Sequence, residues 1–455
     1  MSKKKVLLLN PPTIGNRPII KDQYCSNTSK AGYYWIPVDL LVLSGDLAHH
    51  FDVKVLDSII EKKSKSETID QIIEFAPEHI VVLSSVLTHF EDRALIQLLR
   101  TNLQFKTTFI GDIFYFSSEK MIQFEEVDSI IYEYPSPQLV DYISKGEASS
   151  NLIYKIRGKV ISLPKVKEID VNYRTPRHDL FPIQKYSVPF MMDEKCTSVL
   201  TNFGCKFTCN YCPASSVSYR QRSTDNIMEE LRTLQNLKIT NIWIRDFTFA
   251  LNKGRTIELL KAMIPLKLNW FCLSRAEVIE EDFLSLMKES GCYLLMMGVD
   301  TINEKSMKKI KRWQSVKELK DKIKLIEENR ISVLAHMIIG LPGDTMRDIL
   351  KTVHFLCSSK ASYLSINLFA PRTGSAYFDE LNIELQESRR LDSYYGDQQT
   401  KKQRMLYLLI KYYGMILFYC NPFRLLNIIR RVTTITQLKV LIRTGMRMFF
   451  PVSKG

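Results

Sequence analysis

The run Asn202-Phe-Gly-Cys-Lys-Phe-Thr-Cys-Asn-Tyr-Cys-Pro213 carries the strongest chemical signal in the chain. Cys205, Cys209 and Cys212 stand at C-x3-C-x2-C spacing, which lets three thiolates turn to one face of a loop and hold three irons of a cubane cluster. The fourth iron is then left without a protein ligand, open to a small molecule. A zinc site would need a fourth ligand, and no Cys or His follows within the next twenty-odd positions. A disulfide would need an oxidising compartment, for which nothing in the sequence speaks; buried thiols remain the plain alternative. Gly204 allows a sharp turn into the loop, and Pro213 ends it rigidly.

What must position that loop is large. At 455 residues the chain exceeds what one hydrophobic core supports, and 45% hydrophobic with 25% charged residues describes an ordinary globular composition. The other six cysteines, Cys25, Cys196, Cys272, Cys292, Cys357 and Cys420, form no second close-spaced pair. They read as buried small apolar residues in a reducing cytosol, and they argue against an auxiliary cluster. Met1 to Lys5 leads straight into a strand-like stretch, so no signal peptide is expected. The net charge of +14 is uneven: from Lys401 to Gly455 there are eleven basic residues and no Asp or Glu, leaving +3 for the other 400 residues.

Three structural regions and a connecting segment follow from the patterning. In residues 1–150, apolar runs ending at Asn10, Asp57, Ser85 and Gly111 alternate with helical spacing at 37–50, 69–75 and 93–99. Strand, helix, strand, helix predicts a doubly wound, Rossmann-like α/β sheet, whose ligands bind at the carboxyl ends of the strands, in the loops after those four residues. Residues 151–190 carry three Pro-containing breaks and little periodicity, and are expected to be a linker and cover segment. Across 191–385, six strands alternate with helices: 196–202, 241–246, 269–274, 293–298, 332–340 and 363–368. That predicts a partial (β/α)6 barrel with its chemistry at the carboxyl ends of the strands. The first helix after the cysteine loop begins near Thr224, with Thr224 or Asp225 to cap it. His336, inside the fifth strand, reads as a core histidine beside a catalytic alternative.

Residues 386–455 are expected to form a basic amphipathic helical cap. Met405–Cys420 is a nearly continuous apolar and aromatic run, short of a bilayer span, and beyond Pro422 basic residues alternate with apolar pairs. Such a surface suits either a cap on the barrel or a cap that also lies on anionic lipid. Basic and aromatic residues also suit RNA, but no RNA-binding module is recognised, so nucleic acid is not the expected partner.

The cysteine spacing resembles the signature of the radical S-adenosylmethionine (SAM) enzymes, and the resemblance covers nearly the whole chain. It is to the subgroup in which a cobalamin-binding domain precedes the radical SAM core, class B methyltransferases included, and the cap is similar to that of relatives of the anaerobic magnesium-protoporphyrin cyclase. Asn10-Pro-Pro12 after the first strand and Pro37-Val-Asp-Leu-Leu41 entering the first helix carry it in the N-terminal domain. Asp246-Phe-Thr-Phe249, Ser274-Arg275, Gly298-Val-Asp-Thr301, Gly340-Leu-Pro-Gly-Asp344 and Pro371-Arg-Thr-Gly374 carry it at the strand ends of the barrel. The resemblance implies that Cys205, Cys209 and Cys212 hold a [4Fe–4S] cluster whose open iron chelates SAM, and that the SAM is split to a 5′-deoxyadenosyl radical. It implies Tyr211 beside the SAM adenine and Arg275 on the SAM carboxylate, with a structural salt bridge as the alternative for Arg275. Asp246 would contact SAM or substrate, or cap a helix; Asp300 stands where relatives carry Glu, toward the SAM ribose or methionine.

Cobalamin is the third implied cofactor, at the loops marked by Asn10, Asp57, Ser85 and Gly111. The Asp-x-His-x-x-Gly motif of classical cobalamin proteins is absent, and Gly111-Asp112 and Tyr132-Glu133-Tyr134 stand where the subgroup has Gly-Gly and Gly-Glu. Asp and Tyr fill or charge room that glycines leave to the corrin's nucleotide tail, so a Rossmann-like scaffold is the alternative. The expected activity is methyl transfer to an unactivated carbon of a small-molecule or lipid-like substrate, with an electron donor of the flavodoxin or ferredoxin type. Cyclisation, oxidation or rearrangement without methyl transfer is the second expectation, and a non-catalytic iron–sulfur partner protein the third. A methylthiotransferase would need a second cluster, for which the N-terminal domain offers only Cys25. The expected location is cytoplasmic, with peripheral membrane contact through the cap.

Overall fold

The computed structural model describes residues 3–29, 32–133, 135, 137–166, 169–381 and 401–449. The chain divides at Val188/Pro189 into two compact units, the second also containing the C-terminal helices. In the first unit, strands β1 (Lys5–Asn10), β2 (Ile19–Asp22) and β3 (Cys25–Thr28) precede helix α1 (Val38–His50), then β4 (Asp52–Asp57) and α2 (Lys65–Phe75). There follow β5 (His79–Leu83), α3 (His89–Leu99), β6 (Lys106–Ile110), α4 (Asp112–Phe116), α5 (Ser118–Met121), β7 (Ser129–Ile131), α6 (Gln138–Lys145), β8 (Leu152–Ile156) and β9 (Lys159–Ser162).

The main sheet has the order β4-β1-β5-β6-β7-β8-β9. Its first five strands are parallel, in the doubly wound order 2-1-3-4-5, whose switch point lies between β1 and β5. Val6–Leu9 and Ile80–Leu83 are wholly buried, as parallel strands covered on both faces require. The stretch read as a linker departs from expectation: β8 and β9 extend the sheet antiparallel, with Ile130 opposite Ile153 and Tyr154 opposite Ile161. Leu152-Ile-Tyr154 is buried apolar strand, a signal masked in sequence by the prolines that follow. A second unanticipated element is the antiparallel hairpin β2–β3.

In the second unit, β10 (Cys196–Val199), β11 (Asn202–Phe203) and β12 (Arg220–Gln221) lead to α7 (Thr224–Asn236), β13 (Asn241–Ile244), α8 (Lys253–Met263), β14 (Asn269–Ser274), α9 (Glu281–Glu289) and β15 (Cys292–Asp300). Then come α10 (Glu304–Lys309), α11 (Val316–Glu328), β16 (Ser332–Ile339), α12 (Met346–Ser358), β17 (Tyr363–Leu368) and α13 (Ala376–Glu380). The six strands β10-β13-β14-β15-β16-β17 are all parallel and in sequence order, as a partial barrel demands. The cap of α7 is neither Thr224 nor Asp225 but Ser223, whose extended backbone lets its hydroxyl accept from Asn226 N–H. Helices α14 (Lys401–Tyr419), α15 (Pro422–Arg430) and α16 (Ile435–Phe449) follow. Residues 382–400, where the expected boundary between core and cap falls, lie outside the described residues.

Candidate active site: the cysteine loop of the barrel

Past β10 the chain bends at Thr201–Asn202 into the cysteine loop, and Asp246, just after β13, sets that bend. Its Oδ1 accepts from the Thr201 and Asn202 N–H groups at 2.7 and 3.1 Å. Its Oδ2 accepts from the Thr201 hydroxyl and, at 2.8 Å, from Asn202 Nδ2. Burial raises the pKa of this wholly enclosed carboxyl, and the Thr201 bonds pull the other way. With both oxygens engaged inside the protein, Asp246 is a positioning residue. It caps no helix either: α8 is capped by Asn252, which accepts from Arg255 N–H.

The neck of the loop is closed by β11 against β12, Asn202 opposite Gln221 and Phe203 opposite Arg220. Gly204 has φ of +64°, and a Cβ there would lie 2.5 Å from the carbonyl oxygens of Val217 and Ser218, so the turn requires glycine. Pro213 opens a 3-10 turn through Ser216. Cys209 is buried, Cys205 and Cys212 are half-buried, and all three are free thiols. Asn210 fastens the middle of the loop, its N–H to Ile310 O at 3.2 Å and its side chain to Lys309 O at 2.9 Å.

Arg275, at the end of β14, points at this loop. Its Nη1 donates to Cys209 Sγ at 3.3 Å, its Nη2 pairs with Glu277 at 2.6 Å, and the guanidinium lies 3.8 Å from the centre of the Phe207 ring. The salt bridge raised as an alternative from sequence is present, and the contact with Cys209 Sγ accompanies it. Three soft thiols with a cation on one of them suit an iron–sulfur cluster. Among the described residues no group of three His, Cys, Asp or Glu side chains gathers about a single ion. That holds for Cys205, Cys209 and Cys212 themselves, whose thiols are not gathered about one point.

Tyr211 of the cysteine loop meets Asp300 at the end of β15. The Tyr211 hydroxyl donates to Asp300 Oδ2 at 2.7 Å, and burial, with the Asp300 charge beside it, pushes the phenol well above its usual value, so it stays a donor. Arg312 Nε lies 2.9 Å from the same oxygen, and Arg312 also donates to the Gly298 carbonyl. The register of β15 against β16 shifts between Gly298 and Asp300, and Asp300 has φ of +58°. A non-glycine residue held there is strained backbone, of the kind kept only where neighbours fix it. Sequence reading missed Arg312, which sits in the basic run Lys308-Lys-Ile-Lys-Arg312; only the adjoining Ile310, buried with Leu341 and Phe369, signals that this run turns inward. His336 lies level with Gly298 on one side and Ser365 on the other. Burial lowers its pKa and keeps the ring neutral, and its Nε2 has no hydrogen-bond partner among the described residues.

The four residues marked in the N-terminal unit do lie at the carboxyl ends of strands, and most of their polar atoms are engaged within that unit, although the buried Asn10 Oδ1 has no hydrogen-bond partner among the described residues. Asp57 accepts from Asn10 Nδ2 and Tyr186 OH, each at 2.9 Å, and from Ile60 N–H at 3.2 Å. Its pKa is raised to about 6, burial outweighing those bonds. Ser85 Oγ is 3.1 Å from Thr88 Oγ1. Gly111 has φ of +115°, and a Cβ there would sit 1.9 Å from Ser84 O. Asp112, expected to charge the cofactor's room, turns inward instead, to Ser26 Oγ and Val86 N–H, each at 2.7 Å. Glu133 accepts from Tyr115 OH at 3.0 Å, and Tyr134 lies outside the described residues.

The hairpin β2–β3 crosses these strand ends. Lys21 Nζ donates to the last carbonyl of β5, Leu83 O, at 3.0 Å and pairs with buried Asp92 at 3.1 Å. Tyr24, at its turn, packs edge-on to Tyr115 at 4.6 Å between ring centres.

Residues 199–356 match the Radical SAM superfamily. An uncharacterised methyltransferase of Pyrococcus horikoshii is 26% identical over 83% of this chain and 83% of its own. The anaerobic magnesium-protoporphyrin IX monomethyl ester cyclase of a Synechocystis species is 23% identical over 77% of this chain and 71% of its own. Among solved structures, the radical SAM methyltransferase TsrM of Kitasatospora setae, with cobalamin and a [4Fe–4S] cluster bound, superposes with a TM-score of 0.63 at 18% identity, covering 83% of this chain and 74% of that one. The matched segment contains the cysteine loop and the ends of β13 to β16, so residues 199–356 of this chain form a radical SAM domain.

Proposed function

We propose that this enzyme holds a [4Fe–4S] cluster on Cys205, Cys209 and Cys212, cleaves SAM there, and abstracts hydrogen from an unactivated carbon in a cobalamin-dependent methyl transfer. The observation that carries the reading is the cysteine loop, pinned by Asp246, closed at Gly204 and faced by Arg275 at Cys209 Sγ. When bound, the cluster supplies the electron that splits SAM, and a corrinoid supplies a transferable methyl group.

The chain's own residues bind and orient. Arg275 holds positive charge against a thiolate ligand, and its planar fork suits a carboxylate arriving beside the cluster. Tyr211, Asp300 and Arg312 join the cysteine loop to the strained end of β15. His336 offers a neutral imidazole, level with Gly298, to a substrate polar group. The likeness to the Pyrococcus methyltransferase and to the Kitasatospora methyltransferase supports methyl transfer. A small-molecule or lipid-like substrate and an external flavodoxin- or ferredoxin-type donor complete the reading.

The test is anaerobic reconstitution with iron, sulfide and cobalamin, followed by SAM and a strong reductant. Expected are about four irons per chain, release of 5′-deoxyadenosine, and S-adenosylhomocysteine once a substrate is present. 5′-Deoxyadenosine with substrate but without S-adenosylhomocysteine rejects methyl transfer. The N-terminal strand ends favour that second reading, cobalamin-independent cyclisation, oxidation or rearrangement, because Asn10, Asp57 and Asp112 bond within their own domain. Corrinoid content separates the two: near one per chain supports methyl transfer, and none supports the second.

A further inference from the structure

The three C-terminal helices are apolar on two sides. One side packs: Tyr407, Ile410, Met415 and Phe418 of α14 are buried, and Gly414 lets α14 approach so closely that a Cβ would lie 2.9 Å from Ile366 Cδ1 of β17 and 3.1 Å from Val353 Cγ1 of α12. Arg424 of α15 is buried and donates to the carbonyls of Cys357, Ser359, Ala361 and Phe418. These contacts make the helices an ordered part of the second unit.

The other side is exposed and equally apolar. Of the twenty-two large hydrophobic side chains exposed among the described residues, fourteen lie between Met405 and Met446. Met405 and Leu409 on α14, Phe423 and Ile429 on α15, and Ile435 and Ile442 on α16 are each more than half exposed, Phe423 at 77%. Spacings of four and seven put Met405 with Leu409 and Ile435 with Ile442 on one outward stripe each, and on α15 the exposed Leu426 links Phe423 to Ile429 in steps of three, the inward stripes being taken by the buried residues. Patches of this extent mark interaction sites.

Charge selects the occupant. Lys402, Arg404, Arg430 and Lys439 are exposed among these side chains, and no Asp or Glu occurs from Lys401 to Gly455. A second copy of the chain related by a two-fold axis would set this cationic face against itself. An anionic lipid surface instead takes the apolar side chains below its headgroups and the cations among them. No helix among the described residues is long and apolar enough to cross a membrane, so the contact is peripheral. We propose that the outer face of α14, α15 and α16 docks the enzyme on an anionic bilayer surface.

The test uses the full reconstituted chain and vesicles of phosphatidylcholine alone or of equal parts phosphatidylcholine and phosphatidylglycerol. Sedimentation is expected to show binding more than about tenfold tighter to the anionic vesicles, weakening as salt rises. The triple variant Phe423→Ser, Ile429→Ser, Ile435→Ser is expected to lose binding to both vesicles while SAM cleavage persists. The quadruple variant Lys402→Glu, Arg404→Glu, Arg430→Glu, Lys439→Glu is expected to lose only the anionic preference. Wild-type protein left in the supernatant with both vesicles overturns the proposal, as does a dimer in light scattering that the triple variant dissolves. If the triple variant does not fold, undiminished anionic binding by the quadruple variant overturns it.

Discussion

Two sets of parallel strands in this molecule end in polar loops, and they treat those polar groups in opposite ways. At the barrel's strand ends, Asp246 and Asn210 fasten the frame of the cysteine loop, Arg275 meets Cys209, and the thiols of Cys205 and Cys212 are half-buried. At the N-terminal strand ends, Asn10, Asp57, Ser85 and Asp112 bond to one another or to nearby loops, and the hairpin β2–β3 lies across them. The same architecture thus yields a loop that carries three thiols and a frame whose carboxylates are bonded internally. What distinguishes them is the destination of each hydrogen bond: a carboxylate with four internal donors is scaffold, whatever its place in a motif.

Breaking the comparison at its chemical end gives the largest effect. Cys209→Ala is expected to abolish cluster assembly and SAM cleavage, read as iron content and 5′-deoxyadenosine, with the melting of the N-terminal unit unchanged. Asp246→Ala leaves buried donors of Thr201 and Asn202 unpaired, costing about 4 kcal/mol in the barrel. Iron incorporation should fall with it, whereas a ligand-contacting Asp246 would raise the KM for SAM and leave iron intact.

At the other end, Gly111→Ala drives a methyl group into Ser84 O from a left-handed backbone, and about 3 kcal/mol of N-terminal stability is expected to be lost. Cluster content and substrate-free SAM cleavage by the barrel should hold, and their loss would show the two regions to be one cooperative unit. Asp57 sharpens the contrast through pH. Its ordinary value is 3.8 and its folded value about 6, so the folded state binds the proton more tightly. This group's contribution to stability therefore falls as pH rises from 3.8 to about 6. The difference in unfolding free energy between wild type and Asp57→Asn should change across that window by about 3 kcal/mol. The smallest effect is at Arg275→Gln: losing a positive charge beside Cys209 should lower the cluster's midpoint potential, measured by redox titration, with cluster content retained.

Much of this was legible in one dimension. Cys205, Cys209 and Cys212 declare themselves because cluster ligation depends on spacing along a single loop, and buried parallel strands read as apolar runs such as Val6–Leu9 and Leu294–Met297. The hairpin at 19–28 was not legible, since Ile19-Ile-Lys-Asp22 and Cys25-Ser-Asn-Thr28 mix polar and apolar residues, and Lys21 is buried only because Asp92 and Leu83 O meet it. Arg312 was hidden for the same reason, its partners Asp300 and Gly298 being supplied by a strand end rather than by its own loop.

By itself, then, the sequence determined the order of the six barrel strands and their helices, the three thiols and the basic, acid-free C-terminal stretch, all of which depend on residue type and local period. Only the tertiary structure decided that Asp246 is an anchor, that Arg275 faces Cys209, that the N-terminal strand ends close on themselves and that α14 to α16 keep an apolar side outward. Those outcomes are set by which groups meet across sequence separations of tens of residues, and no local pattern encodes where a buried charge finds its partner.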